Sequence, residues 1–227
     1  MATATQTAPP PSIAHRVVNN EPISVEEYLR RERERKTGER FEYVDGWVLA
    51  MHAVRSDEEI DTMTGPTLAH NIAVSNVSGG LRERLRDDEC RAVAPSPRVA
   101  IPALDAHLYP DLLIFCESPE VENGHRGTIT NPRVIVEVLS PSTMDYDRGE
   151  KFARYRQIDA LQEYLLVAQD APHVEHYVQQ DDASWRFTET DGLDATITLP
   201  SVEAELPLSE VYIDVFDDEA SSQATDA

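Results

Sequence analysis

Lysine is nearly missing from this chain. Lys36 and Lys151 are the only two in 227 residues, and Asp plus Glu outnumber Lys plus Arg by 42 to 20. The resulting net charge of -22 removes the broad basic surface with which proteins usually meet phosphate backbones. It fits a salt-rich cytoplasm or a GC-rich coding bias, with surface carboxylates serving solubility. Cysteine is as scarce: Cys90 and Cys116 form no C-x-x-C pair and have no ligand-spaced histidine nearby, so both read as reduced, packed thiols. His173 and His176 lie three apart in the strand-like run HVEHYV, which turns them to opposite faces and argues against a zinc pair. No run approaches the roughly 18 apolar residues of a membrane span. The opening MATATQTAPPPS has neither an apolar nor a basic targeting region. The expectation is a cytoplasmic protein without a membrane segment.

What is present fits one domain with a sizeable core. Residues 1–20, rich in Ala, Thr and Pro, read as disordered; 21–215 read as the folded domain; 216–227 read as a disordered acidic tail. SVEEYLRRERER predicts a helix capped by Ser24 and running to about Gly38. FEYVDGWVLAM predicts a hairpin turning at Asp45-Gly46. Apolar residues from Pro66 to Arg86 recur at mostly helical spacing, RAVAPSPRVAI reads as a strand broken by proline, and DLLIFC, RVIVEVL and EYLLV read as central strands. Asp147 to Asp159 reads as a helix, and VEHYVQ, WRFTET and ATITL as C-terminal hairpins. Together these predict an α/β fold: one mixed β-sheet flanked by helices, with extra C-terminal β-hairpins.

The chemistry sits in the central strands. In RVIVEVL, Val134, Val136 and Val138 share one face while Ile135, Glu137 and Leu139 share the other, so Glu137 stands in the middle of an apolar strand. A carboxylate there needs a cation, a metal or a donor beside it, and a structural ion pair is the plain alternative. Asp111 opens the neighbouring apolar strand after Pro110 and can aim its carboxylate at the strand edge, although it could also simply cap a turn. Two carboxylates on adjacent strands make an oxygen-rich pocket suited to Mg2+ or Mn2+. Asp147, Lys151 and Tyr155, spaced by four, share a helix face just beyond, where the lysine can reach back or merely face solvent. The acidity is also uneven. Eleven acidic residues and no basic one follow Arg186. Between Arg126 and Arg156 six basic residues (Arg126, Arg133, Arg148, Lys151, Arg154, Arg156) meet four acidic ones. That stretch is the expected phosphate-facing patch.

The succession YPDLLIFC (109–116), VIVEVLSPST (134–143), D-x-x-x-K-x-x-x-Y (147–155) and EYLLV (163–167), after FEYVDG (41–46), resembles the bacterial Uma-type family of restriction endonucleases. That family is similar to the PD-(D/E)XK nuclease superfamily. The resemblance covers about residues 21–180 and implies a restriction-endonuclease-like core and a Mg2+-dependent endodeoxyribonuclease. Asp111 matches the first acid and Glu137 the second. Leu139 stands where the superfamily keeps its lysine, and the resemblance implies that Lys151 replaces it. Glu42 matches a recurring glutamate of the family, and His70 a helical histidine whose role stays open beside core packing. The implied site is Asp111, Glu137, Lys151 and Glu42, with Asp111, Glu137 and the carbonyl of Val138 as metal ligands. The implied partner is nucleic acid, with DNA expected and a homodimer allowed. A catalytically degenerate binding or dimerisation module, and a hydrolase of a small phosphoester, are the rival functions.

Overall fold

The computed structural model describes residues 17–36, 39–51, 66–122 and 127–216. Helix α1 (Val25–Glu34) starts where the Ser24 side chain accepts the Glu27 N–H, with Glu26 and Glu27 in the first turn. It stops at Glu34, short of the expected Gly38, because Arg35 is already extended. Strands β1 (Phe41–Val44) and β2 (Trp47–Ala50) form the expected hairpin. Asp45 (φ 48°) and Gly46 (φ 89°) are both left-handed, and an added Cβ on Gly46 would come within 2.7 Å of Pro22. Val17 bridges Leu49, and the Val18 N–H reaches the Val48 carbonyl, so residues 17–20 belong to the fold and correct the expected disorder there. Phe216, assigned to the tail, stacks on Tyr212. The remainder of both proposed tails lies outside the described residues.

Helix α2 (Leu68–Arg84) follows, capped by Thr67. Next come β3 (Arg91–Val93), β4 (Arg98–Ile101), β5 (Ala106–Leu108), β6 (Leu112–Phe115), β7 (Thr128–Ile129) and β8 (Val134–Leu139). The helix expected over 147–159 is instead α3 (Met144–Tyr146), a π-helical turn (Asp147–Lys151) and α4 (Phe152–Tyr155). The chain ends with β9 (Glu163–Ala168), β10 (His173–Gln179), β11 (Trp185–Asp191), β12 (Thr196–Leu199), β13 (Ala204–Pro207) and α5 (Leu208–Val211).

The α/β class holds, but the strands divide where one mixed sheet was expected. Six strands run in the order β11-β10-β9-β8-β6-β3, five in the order β2-β1-β5-β4-β7, and β12-β13 form the extra hairpin. Each large sheet is mixed, with β8–β9 and β4–β7 parallel. The division buries both faces of the six-stranded sheet. Val134, Val136, Val138, Leu112 and Ile114 pack against α2 and the C-terminal hairpin. Leu113, Ile135, Leu139 and Leu166 pack instead with Tyr155, Tyr164 and the five-stranded sheet. Each fully buried aliphatic or aromatic side chain contributes about 1.5–3 kcal/mol, which is what draws the sheets together.

Antiparallel pairing of Arg91 with Phe115 sets Cys90 beside Cys116. They are joined in a disulfide, which corrects the expectation of two reduced thiols. Among the described residues no helix is long and apolar enough to cross a membrane.

Candidate active site

The register between β6 and β8 builds the site. Leu112 lies opposite Val136, so the next rung brings Asp111 opposite Glu137 on one face of the sheet. That face meets the five-stranded sheet, and β1 adds Glu42 from across the gap, fully buried. The π-helical turn supplies Asp147 and Lys151 from the crossover between β8 and β9. Single π turns of this kind are frequent at functional sites.

Lys151 is the hub. Its Nζ lies 2.8 Å from Oε1 of Glu137, 3.4 Å from Oε1 of Glu42 and 3.4 Å from Oδ1 of Asp147. It also donates to the Tyr109 carbonyl at 3.3 Å, while the Tyr109 N–H donates to Glu42 Oε1 at 3.2 Å. Asp111 Oδ2 accepts the Val138 N–H at 2.8 Å and lies 3.3 Å from Nε2 of His70. In a strand the N–H and C=O of one residue point the same way, so the Val138 carbonyl is on the Asp111 side. All five residues picked out by sequence, and His70 with them, therefore converge. Leu139, at the superfamily's lysine position, is a buried core residue.

Sequence reading stopped short of naming Asp147, Tyr155 and Tyr109 as members. The Tyr155 hydroxyl donates to Glu137 Oε1 at 3.2 Å, and Asp147 pairs with Lys151, so the four-residue spacing carried their signal. Tyr109 works through its backbone, which side-chain patterns do not report.

Among the described residues the ion pairs of this cluster are unequal: the carboxylates of Glu42, Asp111, Glu137 and Asp147 meet the Lys151 ammonium and the His70 imidazole. Burial pushes Glu137 well above the usual carboxylate range despite Lys151, and it raises Asp147 as well. Burial would lower Lys151, but Glu137, Glu42 and Asp147 drive it well above its ordinary value. Burial would also raise Asp111; the hydrogen bond and charge of His70, with Lys151 and the Val138 N–H, hold it below. An oxygen-rich pocket in which carboxylates outnumber the nitrogens beside them suits a hard divalent cation. Among the described residues, no three His, Cys, Asp or Glu side chains are already arranged around a metal position. A cation held by two carboxylates and a carbonyl, keeping much of its water, fits such a donor set.

The expected basic patch is largely paired off. Arg148 pairs with Glu175 at 2.7 Å, Arg154 with Glu150 at 3.0 Å and Arg133 with Glu117 at 3.7 Å; Arg156 is exposed and pairs with no carboxylate among the described residues, and Arg126 lies outside them. Sequence proximity to the site placed these guanidiniums beside carboxylates of the same protein. His176 binds Glu163 at 2.6 Å and His173 binds Asp191 at 2.7 Å, in keeping with their opposite faces.

Residues 25–209 match the model of the Uma2 family, described as "Putative restriction endonuclease". Two uncharacterized proteins of Synechocystis sp. are similar. One is 33% identical over 175 residues, covering 77% of this chain and 91% of its own; the other is 29% identical over 190 residues, covering 84% and 91%. In structure the chain resembles a "putative nuclease belonging to DUF820" from Anabaena variabilis ATCC 29413. The TM-score is 0.65 at 18% identity, covering 84% of this chain and 98% of that one.

Proposed function

Because this chain belongs to the Uma2 restriction-endonuclease family, we propose that it is a Mg2+-dependent endonuclease hydrolysing phosphodiester bonds of nucleic acid, DNA in the first instance. One observation carries the reading: three carboxylates share the Lys151 ammonium and a fourth, Asp111, stands beside Glu137 against His70, where β6 and β8 meet. Asp111, Glu137 and the Val138 carbonyl would hold Mg2+, or Mn2+ in its place. The ion would supply Lewis-acid stabilisation of the phosphate and an acidified water.

The remaining residues arrange this centre. His70 and the Val138 N–H orient Asp111 and keep it ionised, ready to accept a cation. Tyr155 orients Glu137. Glu42 and Asp147 hold the Lys151 ammonium beside Glu137, and there its fixed positive charge can meet charge that develops on a phosphate oxygen. The two sheets and the π turn bury Glu42, Glu137, Asp147 and Lys151, which strengthens the interactions among them, while Asp111 stays partly exposed.

A second reading is a nuclease fold that binds without turnover. The net charge of -22 and the Lys151 ammonium already saturated by three carboxylates favour it. The deciding experiment is cleavage of plasmid and of single-stranded DNA with Mn2+, comparing wild type with Glu137→Ala. We expect metal-dependent cleavage that the substitution abolishes. Equal activity of the two proteins, or none from wild type, would defeat the proposal.

A further inference from the structure

Several arginines of this acidic chain are held by carboxylates: Arg30, Arg84, Arg148 and Arg154 each have one within 3.0 Å. Others are not: among the described residues Arg40, Arg82, Arg86, Arg98, Arg156 and Arg186 pair with no carboxylate, and Arg91 donates only to the carbonyls of Asp88 and Cys90. Arg82, Arg86 and Arg91 differ from the rest in standing together. All three are exposed, and all three line one groove of about 1090 Å³ between α2 and the edge strand β3. Glu83 is the one acid in its lining.

The groove follows a helix face. Asn71, Ser75, Gly79 and Arg82 recur at intervals of three and four, so they form a single stripe, and Arg86 follows in the turn after the helix. At one end Asn71 follows His70, whose imidazole touches Asp111 of the acidic centre. From there to Arg84, the last residue of α2, the helical rise spans ~20 Å, and Arg86 lies just beyond. The groove thus runs from beside the proposed centre to its arginine end.

We infer that this groove is the track along which a single-stranded nucleic-acid segment reaches the acidic centre, an inference that rests on the nuclease reading. Guanidinium forks bind phosphate oxygens in two-pronged fashion. Ser75 and Asn71 offer neutral donors nearer the centre, where further positive charge is left to Lys151. Gly79 leaves room for the strand, since an added Cβ there meets nothing within 4 Å. The partly exposed Phe115 gives the groove an apolar wall on which a base can rest. A cleft between a helix and a strand edge admits one strand, whereas a duplex would touch only its rim. Beyond Arg86, the exposed Asp87, Asp88 and Glu89 repel phosphates and end the track.

The test uses the full chain without metal at low salt, with labelled single-stranded DNA, RNA and duplex DNA followed by fluorescence anisotropy. The variants are Gly79→Trp, which fills the groove from an open position, and the double change Arg82→Glu with Arg86→Glu. Each should weaken single-strand binding by about tenfold or more. The wild-type salt slope should be about -2, as three phosphate contacts on a single strand imply, and should flatten in the double variant. Metal-dependent hydrolysis of bis(p-nitrophenyl) phosphate, which needs the centre but not the groove, should be unchanged in both. Variants that bind like wild type would overturn the inference, as would tighter binding of duplex that Gly79→Trp leaves alone, or no binding by wild type. Defective binding in the variants, with a wild type inactive on every phosphodiester, would sink the hydrolytic reading and leave the groove standing.

Discussion

Glu137 and Glu163 invite comparison because they lie on neighbouring parallel strands, are almost wholly buried, and sit in apolar runs that look alike in sequence. Glu163 is matched one for one. Its Oε2 meets Nε2 of His176 at 2.6 Å, and its Oε1 accepts the Ser201 N–H at 2.6 Å, so it braces β10 and the 3-10 turn Pro200–Val202 against the sheet. Glu137 shares one ammonium with Glu42 and Asp147, and Asp111 stands on the next strand. Burial alone therefore does not mark a functional carboxylate. The mark is surplus charge that the protein's own cations leave unmet.

The largest effect should come from removing the shared cation. Lys151→Met leaves three carboxylates buried without an ammonium and should cost about 3–5 kcal/mol in urea unfolding, with Mn2+ restoring part of the loss. A change below about 1 kcal/mol would erase the difference between the two glutamates. Next comes the brace. Glu163→Gln should cost about 1–3 kcal/mol, because the amide keeps the shape of the side chain and only its hydrogen bonds to His176 and the Ser201 N–H are weakened. Its thermal response to Mn2+ should match that of wild type, and a lost response would mean that the two sites are coupled. The smallest effect belongs to Tyr155→Phe. Losing one hydroxyl donor to Glu137 should cost about 0.5–1.5 kcal/mol by the same unfolding measurement, and a larger loss would assign Tyr155 a heavier part in holding the surplus charge.

Much of this contrast was legible beforehand, and its limits have physical causes. The β1–β2 turn, the α2 face and the strands at 112–115 and 134–139 follow from local rules, namely left-handed turn residues and apolar periodicity. Those strands also brought out Asp111 and Glu137, since an acid in or beside an apolar run stands out at once. The split into two sheets depends on pairing β1 with β5 over some sixty residues, which no local pattern encodes. The Cys90–Cys116 bond depends likewise on the β3–β6 register. The π turn inserts itself into an ordinary helical rhythm, and the partners of Arg133, Arg148 and Arg154 come partly from distant strands and loops. Sequence proximity thus suggested a basic patch near the site, of which the fold pairs Arg133, Arg148 and Arg154 with carboxylates, while the arginines of the groove lie on α2, in the turn after it and on β3.

The most direct test of the surplus-charge account is calorimetric titration of Mn2+ into wild type, Asp111→Asn, Glu137→Gln and Glu163→Gln. The account predicts that wild type and Glu163→Gln bind the ion alike, while Asp111→Asn and Glu137→Gln bind it at least about tenfold more weakly. Glu137→Gln should also retain wild-type stability within about 1 kcal/mol without metal, because it relieves repulsion as it removes a ligand. Equal affinities in all four proteins, or no binding by wild type at millimolar Mn2+, would contradict it.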